Sequence, residues 1–132
     1  MFVAACSKDG KPTYKENPVN ALYNRAVNAM EAGEYIDAAQ FFEEVDRQHP
    51  YSAWATKAQL MSAYSNYKGN KYDEAVIGLN RFILLHPGNR DTPYAYYLKA
   101  LVYYDGIADI SRNQLGTERA LKALRELVRR YP

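Results

Sequence analysis

The sequence predicts an all-α protein, a solenoid of three helical hairpins, and three observations carry that expectation. First, residues recur at a step of 37: Tyr35-Ile36-Asp37-Ala38-Ala39 returns as Tyr72-Asp73-Glu74-Ala75-Val76, and His49-Pro50 returns as His86-Pro87. Ala26, Ala63 and Ala100 keep the same step, as do Met30, Tyr67 and Tyr104. A fixed period of about 20–50 residues marks a repeat array. Second, apolar residues in each copy fall at i, i+3, i+4 and i+7, the spacing of one helix face. Third, no stretch alternates with period two, so no sheet is expected.

Residues 1–17 stand apart as a tether ahead of a repeat domain over 18–132, with repeats at about 18–50, 51–87 and 88–132. The stretch 7–17 is polar, holds Gly and Pro, and has no apolar periodicity, which reads as a flexible lead-in. Asn17-Pro18 reads as an N-cap followed by proline at the first helical position. The first helix of each hairpin is expected at 18–32, 53–68 and 93–105. Its apolar faces are Tyr23, Ala26, Val27 and Met30; Leu60, Ala63, Tyr64 and Tyr67; and Tyr97, Ala100, Leu101 and Tyr104. The second is expected at 35–48, 72–85 and 118–130, with apolar residues Ala38, Phe42 and Val45; Ala75, Leu79 and Phe82; and Ala120, Leu124 and Leu127. Recurrent alanines let helix backbones approach, and Phe or Leu one turn on fills the space beside them. Gly33 is expected to stop the first helix with a positive φ. Ser52, Thr92 and Thr117 are expected N-caps, and the prolines after the second helices end them. The third copy closes eight residues late, at Tyr131-Pro132, and the extra residues lie in the stretch 106–116, expected to be a loop insertion.

Composition narrows the function. A chain of 132 residues is one domain or a piece of a longer array. One cysteine permits no internal disulfide, and a net charge of +2 argues against a dedicated nucleic-acid binder. No apolar run reaches the ~18 residues of a membrane-spanning helix. His49 and His86 sit at one repeat position before the closing proline, so helix termination explains them, and no third ligand at useful spacing makes a metal site. No catalytic triad order, Gly-rich phosphate loop or isolated carboxylate pair is present, so no enzyme, metal or cofactor is expected. Arg119, Lys122, Arg125, Arg129 and Arg130 line the last helix, chiefly as a solvated outer face, with a patch for an acidic partner as the lesser reading.

The repeat resembles the tetratricopeptide (TPR) family. Ala26, Gly33, Tyr35, Ala38, Phe42, Val45 and Pro50 fit its pattern in order; Ala63, Tyr72, Ala75, Leu79, Phe82 and Pro87 fit it again, with Asn70 in place of glycine. The third unit keeps the second-helix half, and the step is longer than the family's usual repeat. The resemblance implies a right-handed α-solenoid whose first helices line a concave, peptide-binding wall. A narrower likeness joins the start to the repeats. Val3-Ala4-Ala5-Cys6 looks like the lipobox of bacterial lipoproteins, and Ser7 fits their outer-membrane sorting preference. The stretches 18–26, 42–51, 64–68, 80–83 and 91–101 are similar to the N-terminal part of the BamD-like outer-membrane assembly lipoproteins. The hydrophobic signal region before Val3 is missing, and that family has about five repeats where three stand here. The likeness implies a lipid-anchored scaffold on the periplasmic face of the bacterial outer membrane. Its implied partners are BamA and other Bam complex subunits, and the C-terminal segments of unfolded outer-membrane proteins. Because BamA docks mainly on the family's C-terminal repeats, that contact is the less supported one for this chain. Another periplasmic TPR lipoprotein, or a general TPR adaptor, is the alternative.

Two sets of residues carry the candidate sites. Cys6 is the lipidation candidate, where two or three acyl chains would anchor stably and one would not; a free thiol is the plain alternative. The peptide-groove candidates are Tyr23, Val27, Met30, Leu60, Tyr64, Tyr67, Tyr97, Leu101 and Tyr104. Tyrosine suits a binding wall, since the ring gives contact area and the hydroxyl orientation. The same rings would also serve to pack neighbouring helices, and helical spacing alone does not separate the two. The last hairpin, with no helix following it, is expected to expose an apolar end.

Overall fold

The computed structural model describes residues 17–109 and 114–132. They form six helices: α1 (Val19–Glu31), α2 (Tyr35–Gln48), α3 (Ala53–Lys68), α4 (Tyr72–Leu85), α5 (Thr92–Asp109) and α6 (Gln114–Arg130). Each helix packs on the next, giving hairpins α1–α2, α3–α4 and α5–α6 in a stack, with no contact between the first hairpin and the third among the described residues. The arrangement is an open all-α, TPR-like solenoid rather than a closed bundle. First helices touch across hairpins, α1 with α3 and α3 with α5, whereas second helices do not. The stack therefore bends with the first helices on its inner side.

The core consists of two copies of one packing unit. Ala26, Ala38, Phe42, Val45 and Ala58 are buried between α1, α2 and α3. Ala63, Ala75, Leu79, Phe82 and Ala95, each 37 residues later, are buried between α3, α4 and α5. The alanines sit where helices cross closely, and the larger side chains fill the gap beside them. Truncating Phe42 or Phe82 to alanine costs about 3–5 kcal/mol, because the cavity does not collapse fully.

The turns repeat as well. Gly33 (φ 80°) and Asn70 (φ 62°) occupy equivalent left-handed positions. At both, the next residue's N–H returns to the helix: Glu34 to the Ala29 carbonyl at 2.9 Å and Lys71 to the Asn66 carbonyl at 2.8 Å. That six-residue closure is a Schellman motif, and asparagine tolerates its left-handed residue better than most side chains. Ser52 caps α3 by accepting from the Ala55 N–H at 3.1 Å. His49 and His86 end α2 and α4 with nearly identical backbone angles (φ −131°, ψ 57° and φ −130°, ψ 55°), which places the residue before each proline outside the α region.

Several local expectations are corrected. Asn17 caps nothing with its side chain; Pro18 is the N-cap and α1 starts at Val19. The Asn17 backbone is instead tied to the end of α2, donating to Gln48 Oε1 and accepting from the His49 ring at 2.7 Å. Thr92 is the first residue of α5 rather than its cap, and its hydroxyl donates to the His86 carbonyl. Thr117 lies inside α6, which begins at Gln114. The stretch 106–116 is not one loop: α5 runs on to Asp109, and 114–116 are helical. Gly106 does not break α5 because its φ is not positive. Residues 1–16, with Cys6 and the tether, lie outside the described residues.

Candidate binding surface

The inner side of the stack is built from the first helices, and their sequences place aromatic residues there at helical spacing. On α1, Tyr23 sits between Phe42 (ring centroids 5.3 Å) and Trp54 of α3 (4.7 Å), and burial pushes its phenol pKa up. Val27 and Met30 continue the α1 face, half-buried against the first core. On α3, Tyr64 and Tyr67 are half-buried with ring centroids 6.4 Å apart, and Tyr72, at the start of α4, lies 6.3 Å beyond Tyr67. On α5, Tyr94 and Tyr97 are 6.3 Å apart and exposed. Leu101 is half-buried, and Tyr104 is 63% exposed.

Eight of the nine groove candidates thus keep accessible surface. Leu60 does not: it is 2% exposed and belongs to the second core, so it lines no groove. Its partner at the 37-residue step, Tyr97, is 49% exposed. Leu60 is covered by α5, which adds Ala95 and Leu98 to the same core, whereas among the described helices only α3, α4 and α6 pack on α5.

Polar groups complete the wall. The Tyr67 hydroxyl donates to Asp105 of α5, bridging the second and third hairpins. Burial first, and then that hydrogen bond, raise the Tyr67 pKa well above the usual phenol value. Tyr94 is raised too, by burial and then by the hydroxyls of Tyr64 and Tyr97. Among the described residues, the Tyr67–Asp105 bond thus sets a carboxylate beside the tyrosine rings of the wall.

Trp54, Tyr72, Tyr94 and Asp105 belong to this surface and were not among the candidates. Tyr94 was within reach, since it extends the Tyr97, Leu101, Tyr104 stripe back by three residues. Tyr72 was absorbed by the turn pattern, and Asp105 by the expected helix end.

The outer side carries a different concavity. Because the second helices splay apart, α2 and α4 leave a cleft of about 740 Å³ floored by α3. In it His86 donates to Gln59 Oε1, Gln59 to Asp46 Oδ1, and Arg81 approaches Asp46 Oδ2 at 3.4 Å. These bonds tie the end of α4 to α2 through α3. On α6 the cations Arg119, Lys122, Arg125 and Arg129 are exposed, and Arg130 lies over the Tyr96 ring and pairs with Glu126. No three His, Cys, Asp or Glu side chains converge among the described residues. No described helix is long and apolar enough to cross a membrane.

A stack of helical hairpins with two copies of one core and an aromatic inner wall defines a TPR-like helical-repeat protein. More narrowly, the chain belongs to the YfiO family of outer membrane lipoproteins, whose model matches residues 15–132. It is 47% identical over 98% of its length to the outer membrane protein assembly factor BamD of Caulobacter vibrioides, covering 44% of that protein. It is 39% identical over 87% of its length to the BamD of Rickettsia prowazekii, covering 46% of it. The BamD of Xylella fastidiosa is 29% identical over the whole chain, which covers 49% of it. The chain thus spans about half the length of the curated relatives it matches.

Proposed function

We propose that this chain is the repeat-bearing part of an outer-membrane protein assembly factor that works by binding rather than by catalysis. Lipid on Cys6 tethers it to the periplasmic face of the outer membrane. The inner wall holds C-terminal segments of unfolded outer-membrane proteins, near BamA and the other subunits of a Bam complex. The observation that carries this reading is the wall itself, where Trp54, Tyr94, Tyr97 and Tyr104 stand exposed on successive first helices. Aromatic side chains of this kind supply much of the binding energy in protein interfaces. The relatives, all outer membrane protein assembly factors, support the same reading.

The test is fluorescence anisotropy with labelled peptides from the C-termini of outer-membrane proteins. Tyr97→Ala and Tyr104→Ala are each expected to weaken binding about 5- to 30-fold, equivalent to about 1–2 kcal/mol, the loss on truncating a contributing interface aromatic. Unchanged affinity in both variants would contradict the reading. Intact mass of protein purified from its own host is expected to show an acylated Cys6, and an unmodified thiol there would remove the tether.

A further inference from the structure

We infer that the niche formed by Tyr64, Tyr67, Tyr72 and Asp105 receives a cationic side chain, lysine or arginine, of the segment held on the inner wall. The inference rests on the inner-wall reading and adds the chemistry of what is held.

Asp105 is half-buried at the inner wall, and the Tyr67 hydroxyl occupies one of its oxygens. A carboxylate has about four acceptor positions, so one phenol leaves most of that capacity unused. The donor is also neutral, so the negative charge stays uncompensated. The first helices hold four cations; three are engaged elsewhere and the fourth lies toward α6. Arg25 lies 4.0 Å from the centre of the Phe41 ring, and Lys57 pairs with Asp91 at 3.3 Å. Lys68 lies over Tyr35, and Lys99 lines the cleft toward α6 with Arg119 and Lys122. Among the described residues no Lys, Arg or His pairs with Asp105. A charge set in a partly desolvated aromatic niche favours an incoming opposite charge.

The rings favour the same guest. Tyr64 and Tyr72 flank Tyr67 at 6.4 and 6.3 Å, inclined to it by 61° and 43°, so their faces are turned differently around the carboxylate's partner. Tyrosine faces attract cations, and the methylene stem of lysine or arginine lies well along such rings. A neutral donor would satisfy a lone pair of Asp105 and leave the charge and the ring faces unused.

The test uses fluorescein-labelled decapeptides ending in phenylalanine, with lysine, or norleucine in its place, at each internal position in turn. At the best position the protein is expected to prefer lysine about tenfold at low salt, with the preference shrinking in high salt. Asp105→Asn still accepts from Tyr67 but lacks the charge, so it is expected to bind both peptides within about twofold of each other. Tyr67→Phe leaves both oxygens of Asp105 free and is expected to keep or increase the preference, which a purely bracing role for the pair would not produce. No lysine preference at any position, the same preference in Asp105→Asn, or its loss in Tyr67→Phe overturns the inference alone. Absence of saturable binding by either peptide series overturns the inner-wall reading and this inference together.

Discussion

Tyr67, in the last turn of α3, donates its hydroxyl hydrogen to Asp105 of α5, and the bond joins the first helices of two successive hairpins across the inner wall. α3 and α5 touch only lightly along their length. The hairpins are held together mainly where α4 packs on α5, and the side-chain bridge adds one polar tie at the inner edge.

Removing the bridge is expected to cost stability and to change its pH dependence. Tyr67→Phe should lower unfolding free energy by about 1 kcal/mol, the net worth of one hydrogen bond. In the folded protein the Tyr67 phenol holds its proton above the ordinary pKa of 10.0. The unfolded chain loses that proton first as pH rises past 10. Stability from this group is thus complete below pH 10 and declines above it. Urea unfolding between about pH 8 and pH 11 should show a steeper loss in the natural protein than in Tyr67→Phe, and parallel curves would contradict the assignment.

Ser65 makes the opposite kind of prediction. Its hydroxyl is buried in α3 with no hydrogen-bond partner among the described residues, so it carries a desolvation cost without return. Ser65→Ala is expected to stabilise the protein by about 1 kcal/mol, read as a rise of a few degrees in Tm. A drop of similar size would show that the hydroxyl has a partner in solution.

Asn70 tests the turn. Asn70→Gly should change stability by a few tenths of a kcal/mol, whereas Asn70→Val should cost about 1–2 kcal/mol, because a β-branched residue is strained at φ 62°. Equal effects would place the cost in a lost side-chain contact instead.

The repeat also predicts unequal costs at equivalent positions. Leu79 is fully buried and Leu124, at the matching place on α6, is 39% exposed. Leu79→Ala is expected to cost about 2–5 kcal/mol and Leu124→Ala less than about 1 kcal/mol. Chemical denaturation of the two variants decides it.

That contrast shows how far the sequence could be read. The step of 37 marked Ala26 and Ala63, Phe42 and Leu79, and Gly33 and Asn70 as equivalents, and the structure gives each pair the same role. Such pairs were legible because the alanine spacing and the left-handed turn are local demands on side-chain size. An exposed apolar end on the last hairpin was expected, and Leu121, Leu124 and Val128 are exposed there, but the period alone did not say which of its apolar residues a neighbour would leave uncovered. Where α5 ends escaped the reading because Gly106 looks like a stop yet keeps helical backbone, packed toward Tyr72. Of the wall, the stripe Tyr97, Leu101 and Tyr104 followed from periodicity. The bridge to Asp105 did not, because it joins residues 38 apart through geometry that a single helix does not encode.

The most direct test of the central claim is site-specific photo-crosslinking in cells, with a benzophenone amino acid at Tyr97 and Tyr104 on the inner wall and at Ile77 on the exposed outer face of α4. Adducts with unfolded outer-membrane proteins are expected at Tyr97 and Tyr104 and not at Ile77. Adducts at Ile77 alone would place the binding surface on the opposite side of the stack and contradict the account.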